Sequence, residues 1–77
     1  MTAAQAEARQ LAALLPSCLC PKVTDYPDGG AILDVKRGGP EDPGGEGLWF
    51  NVDRPDQWFR CWAYGLRLAG FGQWGDA

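Results

Sequence analysis

The stretch SCLCPKVTDYPDGGAILDVKR, residues 17–37, is typical of a β-hairpin. Pro27 sets φ at the first turn position, Asp28 suits the second, and Gly29 supplies a left-handed residue, which predicts a three-residue loop with a glycine bulge. This turn fixes a register with Val23 opposite Leu33, because a slip of one residue would exchange the two faces. The expected core-facing residues are Leu19, Pro21, Val23, Ala31, Leu33 and Val35. The expected opposite face is mostly polar and carries Cys18, Cys20, Lys22, Thr24, Tyr26, Ile32, Asp34 and Lys36.

A helix is predicted before the hairpin, over about residues 3–14. Thr2 and Gln5 have the spacing of a capping box, in which each side chain accepts a hydrogen bond from the other residue's backbone. Pro16 ends the helix, because the residue before a proline is displaced from the α region. The stripe expected to face the core comprises Ala4, Ala8, Leu11 and Leu15, with Leu14 beside them.

A third strand and a second helix are predicted after the hairpin. The segment GLWFNV predicts a strand near residues 48–52, and Asp53 as cap with Pro55 in the first turn predicts a helix over about residues 55–69. Gly70 is the expected C-terminal cap. The expected apolar face of this helix comprises Trp58, Phe59, Trp62, Ala63, Leu66 and Ala69, and the expected solvent stripe comprises Gln57, Arg60, Tyr64 and Arg67.

The resulting order, α-β-β-β-α, predicts the α+β class. We expect an antiparallel three-stranded sheet packed by two helices, as a single domain over residues 1–77. The segment GGPEDPGGEG, residues 38–47, holds five glycines, two prolines and three acids without a hydrophobic residue. It is therefore predicted to be a flexible acidic loop.

The charges limit the classes of partner. The chain has a net charge of −3, and residues 25–56 hold eight acids and three bases while the remainder holds two acids and four bases. An acidic balance disfavours general binding to a phosphate backbone, which needs clustered lysine and arginine. No apolar run approaches the ~20 residues of a membrane span, and an odd, low number of cysteines fits a reducing compartment. We therefore expect a cytoplasmic protein without membrane contact.

Catalysis is not expected, because the chain has no histidine and its one serine, Ser17, lies in no nucleophile motif. Cys18, Cys20 and Cys61 lack a fourth ligand, and only one residue separates the first two, so a zinc site is disfavoured. Structural thiols are the expectation. A metal, a redox role or a disulfide that joins Cys61 to one of the others remains the alternative. The acidic loop does not match an EF-hand, and no cofactor or metal is expected.

Aromatic, basic and acidic residues supply the candidate binding surface. Tryptophan, tyrosine and arginine are enriched in interface hot spots, whereas Trp58 and Trp62 have helical spacing and are expected in the core. Stacking of single-stranded nucleic acid on the aromatic residues is an alternative that the charge disfavours. The candidate residues are Trp49, Trp74, Tyr64, Arg60 and Arg67, together with the acids Asp25, Asp28, Glu41, Asp42 and Glu46.

In overall character, a tiny, acidic, histidine-free domain resembles the small phage-encoded inhibitors, anti-CRISPR proteins among them. The resemblance covers size and charge rather than any motif. It implies a non-catalytic inhibitor that binds a protein partner, such as a host complex whose nucleic-acid-binding surface the five acids occupy in place of phosphate. The alternative is a structural or accessory subunit that works within an assembly or as a homo-oligomer, for example a homodimer.

Overall fold

The computed structural model describes residues 1–70. Helix α1 (Ala3–Leu14) precedes strands β1 (Lys22–Asp25), β2 (Ala31–Val35) and β3 (Glu46–Phe50), and helix α2 (Trp58–Leu68) follows them. Single turns of 3-10 helix, Ser17–Leu19 and Pro55–Gln57, precede β1 and α2. The strands form one antiparallel sheet in the order β1-β2-β3. The predicted α-β-β-β-α order and fold class are confirmed. Within residues 1–70, no helix is both long enough and apolar enough to cross a membrane.

The hairpin has the predicted turn and register. Val23 lies opposite Leu33, and Gly29 has a φ of 97° in the left-handed region that favours glycine. The Tyr26 N–H donates to Gly30 O at 2.9 Å, and the Gly29 N–H donates to Tyr26 O at 3.0 Å. These two bonds close the three-residue loop that the Pro-Asp-Gly sequence predicts.

The N-terminus of α1 is fixed to this turn. The Gln5 N–H donates to Thr2 Oγ1 at 3.2 Å and the Thr2 N–H donates to Gln5 Oε1 at 3.0 Å, which confirms the capping box. The Thr2 hydroxyl also donates to Gly29 O. The cap therefore satisfies the helix terminus and joins it to the β1–β2 loop.

The core lies between the sheet and the two helices, which cover the same face of the sheet. Leu11, Leu33, Val35 and Phe50 are its largest fully buried side chains. A Cβ at Gly65 of α2 would lie 2.8 Å from Leu11 Cδ2, so the helices approach each other at a position that only glycine fills without displacement. Buried apolar residues of both helices and of β2 and β3 join in one cluster, and the partly buried Val23 of β1 packs against it.

Strand β3 begins at Glu46, two residues before the predicted start near residue 48, because Glu46 still pairs with Val35. Two predictions, one about a helix cap and one about a helix face, are wrong. Asp53 caps no helix: Arg54 and Gln57 hold the cap positions of the 3-10 turn and of α2, and neither uses its side chain. Leu14 is 54% exposed, although the stripe Ala4, Ala8, Leu11 and Leu15 is buried as predicted.

Helix α2 packs four residues of its predicted apolar face against the core, but it is rotated relative to the predicted orientation; the four are Trp58, Trp62, Leu66 and Ala69. Cys61 and Gly65 are its buried residues, whereas Phe59 is 64% exposed and Ala63 is also exposed. Tyr64, predicted to face solvent, is half-buried and packs against the core. The close approach of Gly65 to Leu11 places Cys61 and Gly65 on the inner side and turns Phe59 outward. Gly70, with a φ of 97°, ends the helix as predicted.

Candidate functional site

The face of the sheet that the helices do not cover is called the outer face here. Pairing aligns Thr24, Ile32 and Trp49 in one row across the three strands and Lys22, Asp34 and Gly47 in the next. Alternate residues of a strand point to opposite faces, so both rows share one face and Tyr26 extends it beyond the end of β1. The outer face comprises Lys22, Thr24, Tyr26, Ile32, Asp34, Gly47 and Trp49.

Two aromatic rings stack on the outer face. The ring centroids of Tyr26 and Trp49 lie 5.3 Å apart with an interplanar angle of 18°. The Gly30 carbonyl accepts the Tyr26 N–H at 2.9 Å, which holds the backbone of Tyr26 at the end of the hairpin. Tyr26 is 36% exposed and Trp49 is 51% exposed, so the pair presents both apolar rings and polar groups to solvent.

Ile32 lies in the row of Trp49 and is only 9% exposed, although no helix covers this face. A Cβ at Gly47 would lie 2.6 Å from Ile32 Cδ1 and 3.5 Å from Trp49 Nε1. The Ile32 side chain and the indole therefore occupy the space above Gly47. The outer face has a small packed apolar patch, which the prediction of a mostly polar face did not include.

The backbone below Trp49 is held from the other side of the sheet. The Cys61 thiol donates to Trp49 O at 3.2 Å, and Trp58 Nε1 donates to Asn51 O at 2.8 Å. Burial raises the pKa of the Cys61 thiol, so the group stays a neutral donor. Strand β3 thus presents Trp49 from a backbone that α2 fixes.

Two of the predicted acids are engaged near the β1–β2 turn. Asp25 accepts two hydrogen bonds from Arg9, at 2.8 and 2.9 Å, and the guanidinium lowers the pKa of this carboxyl group. Asp28 Oδ1 accepts the Gly30 N–H at 2.8 Å and stabilises the turn. Both carboxylates therefore have structural partners within the chain.

The acids at the other end of the sheet differ in their engagement. Asp42 accepts the N–H groups of Gly38 and Gly44 at 3.1 and 3.0 Å, and these bonds lower its carboxyl pKa. Glu46 lies in β3 rather than in the loop, where it accepts from the Tyr64 hydroxyl and pairs with Arg37 at 3.3 Å. Of these three acids only Glu41 is exposed without an ion pair or hydrogen bond within residues 1–70. The mobility of the loop stays a prediction.

The basic residues of α2 do not join Trp49. Arg60 is exposed and its guanidinium carbon lies 5.8 Å from the ring centroid of Phe59, and Arg67 is exposed in the last turn. The helix lies on the face of the sheet opposite to the outer face, so the predicted set divides between two sides of the molecule. Glu46 raises the pKa of the Tyr64 hydroxyl and holds this ring against β3. Trp74 lies outside the described residues.

Sequence reasoning missed Tyr26, Ile32, Asp34 and Gly47 as members of the candidate site. The hairpin register placed Tyr26, Ile32 and Asp34 on one face, but the register of β3 against β2 was not predicted. With Ile32 opposite Trp49, the two aromatic residues meet. Alternation along residues 46–50 places Trp49 on one face of β3, but the pairing of Trp49 with Ile32 is a contact between distant residues that local sequence does not specify.

The thiols are separate and free. Cys18 is exposed, Cys20 is half-buried and Cys61 is buried, and no disulfide joins them. Among residues 1–70, no three potential ligand side chains are grouped to hold a metal ion, and the same part of the chain forms no pocket. Comparisons with protein-family models, with curated proteins and with solved structures find no match to the chain.

Proposed function

We propose that the chain is a non-catalytic inhibitor that binds a protein partner through the outer face of its sheet. The observation that carries the proposal is the exposed, stacked pair Tyr26 and Trp49, held on a backbone that α2 fixes. Tryptophan and tyrosine supply a large contact area at a low cost in conformational entropy and dominate interface hot spots. A pair that is already stacked in the free protein loses little further freedom on binding.

The partner class follows from charge and size. A net charge of −3, with eight acids against three bases in residues 25–56, favours a basic partner surface over nucleic acid. Together with the resemblance to small phage-encoded inhibitors, this charge favours a host complex as the partner. The chain would occupy the nucleic-acid-binding surface of that complex, in the manner of anti-CRISPR proteins. The proposal places the chain in the cytoplasm, where free thiols remain reduced.

The structure changes which residues we assign to the contact. Asp25, Asp28, Asp42 and Glu46 already bind groups of the chain itself, so each would have to exchange a partner to imitate phosphate. We therefore assign the central contact to the aromatic pair and a peripheral, steering role to Glu41.

Affinity capture with matched variants tests the proposal. The tagged parent, Trp49→Ala and Phe59→Ala are immobilised and exposed to host-cell lysate, and the retained proteins are identified by mass spectrometry. Phe59 is the control because it is an exposed aromatic residue on α2, across the molecule from the outer face. We expect one host complex to be retained by the parent and by Phe59→Ala and to be lost with Trp49→Ala. The purified complex should then lose binding to its nucleic acid in a gel shift when the parent is added.

Two results would contradict the proposal. One is retention of the same proteins by all three chains, and the other is a captured complex whose nucleic-acid binding the chain leaves unchanged. Thermal melts of the three chains must agree to within a few degrees before the captures are compared. The ring of Trp49 is half exposed and its main-chain carbonyl, not its side chain, binds Cys61, so the truncated variant is expected to fold.

A second candidate function is that of a homo-oligomeric structural subunit. The observation that favours it is the outward-facing apolar side of α2, where Phe59 is 64% exposed and Ala63 is also exposed. Light scattering after size exclusion tests it. A dimer in the parent that becomes a monomer in Phe59→Ser would support this candidate, and a monomeric parent at all concentrations would exclude it.

A further inference from the structure

One carboxylate of the outer face has no partner within residues 1–70. Asp34 is exposed and points to the same side as Ile32, and its side chain forms neither an ion pair nor a hydrogen bond in that part of the chain. Lys22 is its direct neighbour on β1, yet no ion pair joins the two side chains. Gly47, the neighbour on β3, has no side chain that could cover the carboxylate.

The aromatic pair lies next to this carboxylate. Gly47 pairs with Asp34, and Trp49 lies two residues further along the same strand, so Trp49 is the diagonal neighbour of Asp34. Diagonal neighbours in a sheet have Cα atoms roughly 7–8 Å apart, a distance that long side chains cross. The Trp49 indole N–H forms no hydrogen bond within the described part of the chain, and about half of the side chain is open to solvent. An exposed indole beside an unpaired carboxylate fits a planar cation.

We propose that the outer face binds an arginine side chain in an extended basic segment of the partner, with the guanidinium on the Trp49 ring and hydrogen-bonded to Asp34. The proposal rests on the protein-binding function proposed above and specifies the chemistry of the partner. Arginine fits better than lysine, because its planar guanidinium stacks on an aromatic ring and donates two parallel hydrogen bonds to one carboxylate. Arginine is also abundant on nucleic-acid-binding surfaces, the class of target assigned above.

A second copy of the chain fits this face less well. A stable interface buries about 800 Å² on each partner. The outer face offers three large side chains with apolar surface, Tyr26, Ile32 and Trp49. Ile32 is only 9% exposed in the monomer, so it has little surface left to bury against a second copy.

Nuclear magnetic resonance titration of the ¹⁵N-labelled full chain tests the proposal. The probe is a blocked hexapeptide of alternating glycine and arginine, and the matched peptides carry lysine or the neutral isostere citrulline in place of arginine. We expect the arginine peptide to shift the signals of the Trp49 indole N–H and the Gly47 and Ile32 amides, the lysine peptide to bind several-fold more weakly, and the citrulline peptide to leave the signals unchanged.

Two charge-matched variants separate a specific contact from general attraction. Asp34→Asn and Glu41→Gln each change the net charge from −3 to −2, and each replaces an exposed carboxylate that has no partner in the described residues 1–70. We expect Asp34→Asn to weaken the arginine peptide about tenfold and Glu41→Gln to change its affinity less than twofold. Equal weakening by both variants, or shifts confined to residues outside the outer face, would overturn the proposal.

The remaining outcomes distinguish this inference from the proposed function. If Trp49→Ala abolishes capture of the host complex while Asp34→Asn leaves capture and peptide binding intact, the outer face binds a protein but the arginine contact is wrong. If an oligothymidine shifts the same signals and the arginine peptide does not, the rings stack bases and the inference is wrong. If the arginine peptide binds as expected and no host complex depends on Trp49, the cation site stands and the inhibitor function fails.

Discussion

Gly47→Ala tests whether the outer face is packed as a unit. The new Cβ would lie 2.6 Å from Ile32 Cδ1 and 3.3 Å from Ile32 Cγ1, so Ile32 must leave its rotamer or the strands must shift. Overpacking of this kind costs about 1–3 kcal/mol, whereas replacing a strand glycine by alanine gains about 0.5–1 kcal/mol in conformational entropy. We expect a net loss of about 1 kcal/mol in the free energy of unfolding, which lowers Tm by roughly 4–8 °C in a domain of this size.

Ile32→Val is the matched partner for this substitution, because valine lacks the Cδ1 atom that meets the new Cβ. Alone, Ile32→Val should cost about 0.5–1.5 kcal/mol. In its background, Gly47→Ala should be neutral or stabilising by about 0.5 kcal/mol, which gives a coupling energy of about 1–1.5 kcal/mol between the two sites.

Urea denaturation of the four chains measures this coupling, and near-ultraviolet circular dichroism monitors the Tyr26–Trp49 stack. Trp49 should keep its environment in Gly47→Ala, since the new Cβ would lie at an ordinary 3.5 Å from Nε1. A stabilising Gly47→Ala with a coupling energy near zero would show that Ile32 does not fill the space above Gly47, and the packed outer face would be refuted.

Three further predictions concern the fold and the thiols. Thr2→Ala removes the hydroxyl that accepts the Gln5 N–H in the helix cap and donates to Gly29 O of the hairpin turn. It should lower the free energy of unfolding by about 1–2 kcal/mol, whereas the exposed Thr24→Ala should change it by less than about 0.5 kcal/mol. Two backbone N–H donors lower the pKa of the Asp42 carboxyl group below its ordinary 3.8. The ionised carboxylate therefore stabilises the fold above pH 3.8, and this stabilisation is lost as the pH falls through the lowered pKa of the folded state. Asp42→Asn should flatten this acid limb in pH-dependent melts, and an unchanged limb would contradict the assignment. A thiol reagent at pH 8 should label the exposed Cys18 within minutes and Cys61 only on unfolding, because Cys61 is buried and burial raises the pKa of its thiol. Mass spectrometry measures the two labelling rates, and equal rates would contradict the buried position of Cys61.

The sequence predicted what short-range physics controls. The capping box of Thr2 and Gln5, the Pro27-Asp28-Gly29 turn and the β1–β2 register are settled within a few residues, by backbone φ preferences and by the period-two alternation of a strand. The order of elements follows, because each helix and strand has its own start and stop signals. The start of β3 was not predicted in this way, because Glu46 belongs to the strand through its pairing with Val35 and not through a β-propensity of its own.

Only the tertiary structure decided the candidate site. Asp25 pairs with Arg9 and Glu46 binds Tyr64, residues that lie 16 and 18 positions apart, so their availability to a partner could not be read from local sequence. The approach of Gly65 to Leu11 sets the rotation of α2 and turns Phe59 outward. The pairing of Ile32 with Trp49 likewise brings the Tyr26 ring onto the indole, beside the carboxylate of Asp34, which has no partner within residues 1–70. Such features depend on which distant surfaces meet when the chain packs. A periodic pattern indicates which face of an element is buried, but it does not specify the residues that this face contacts.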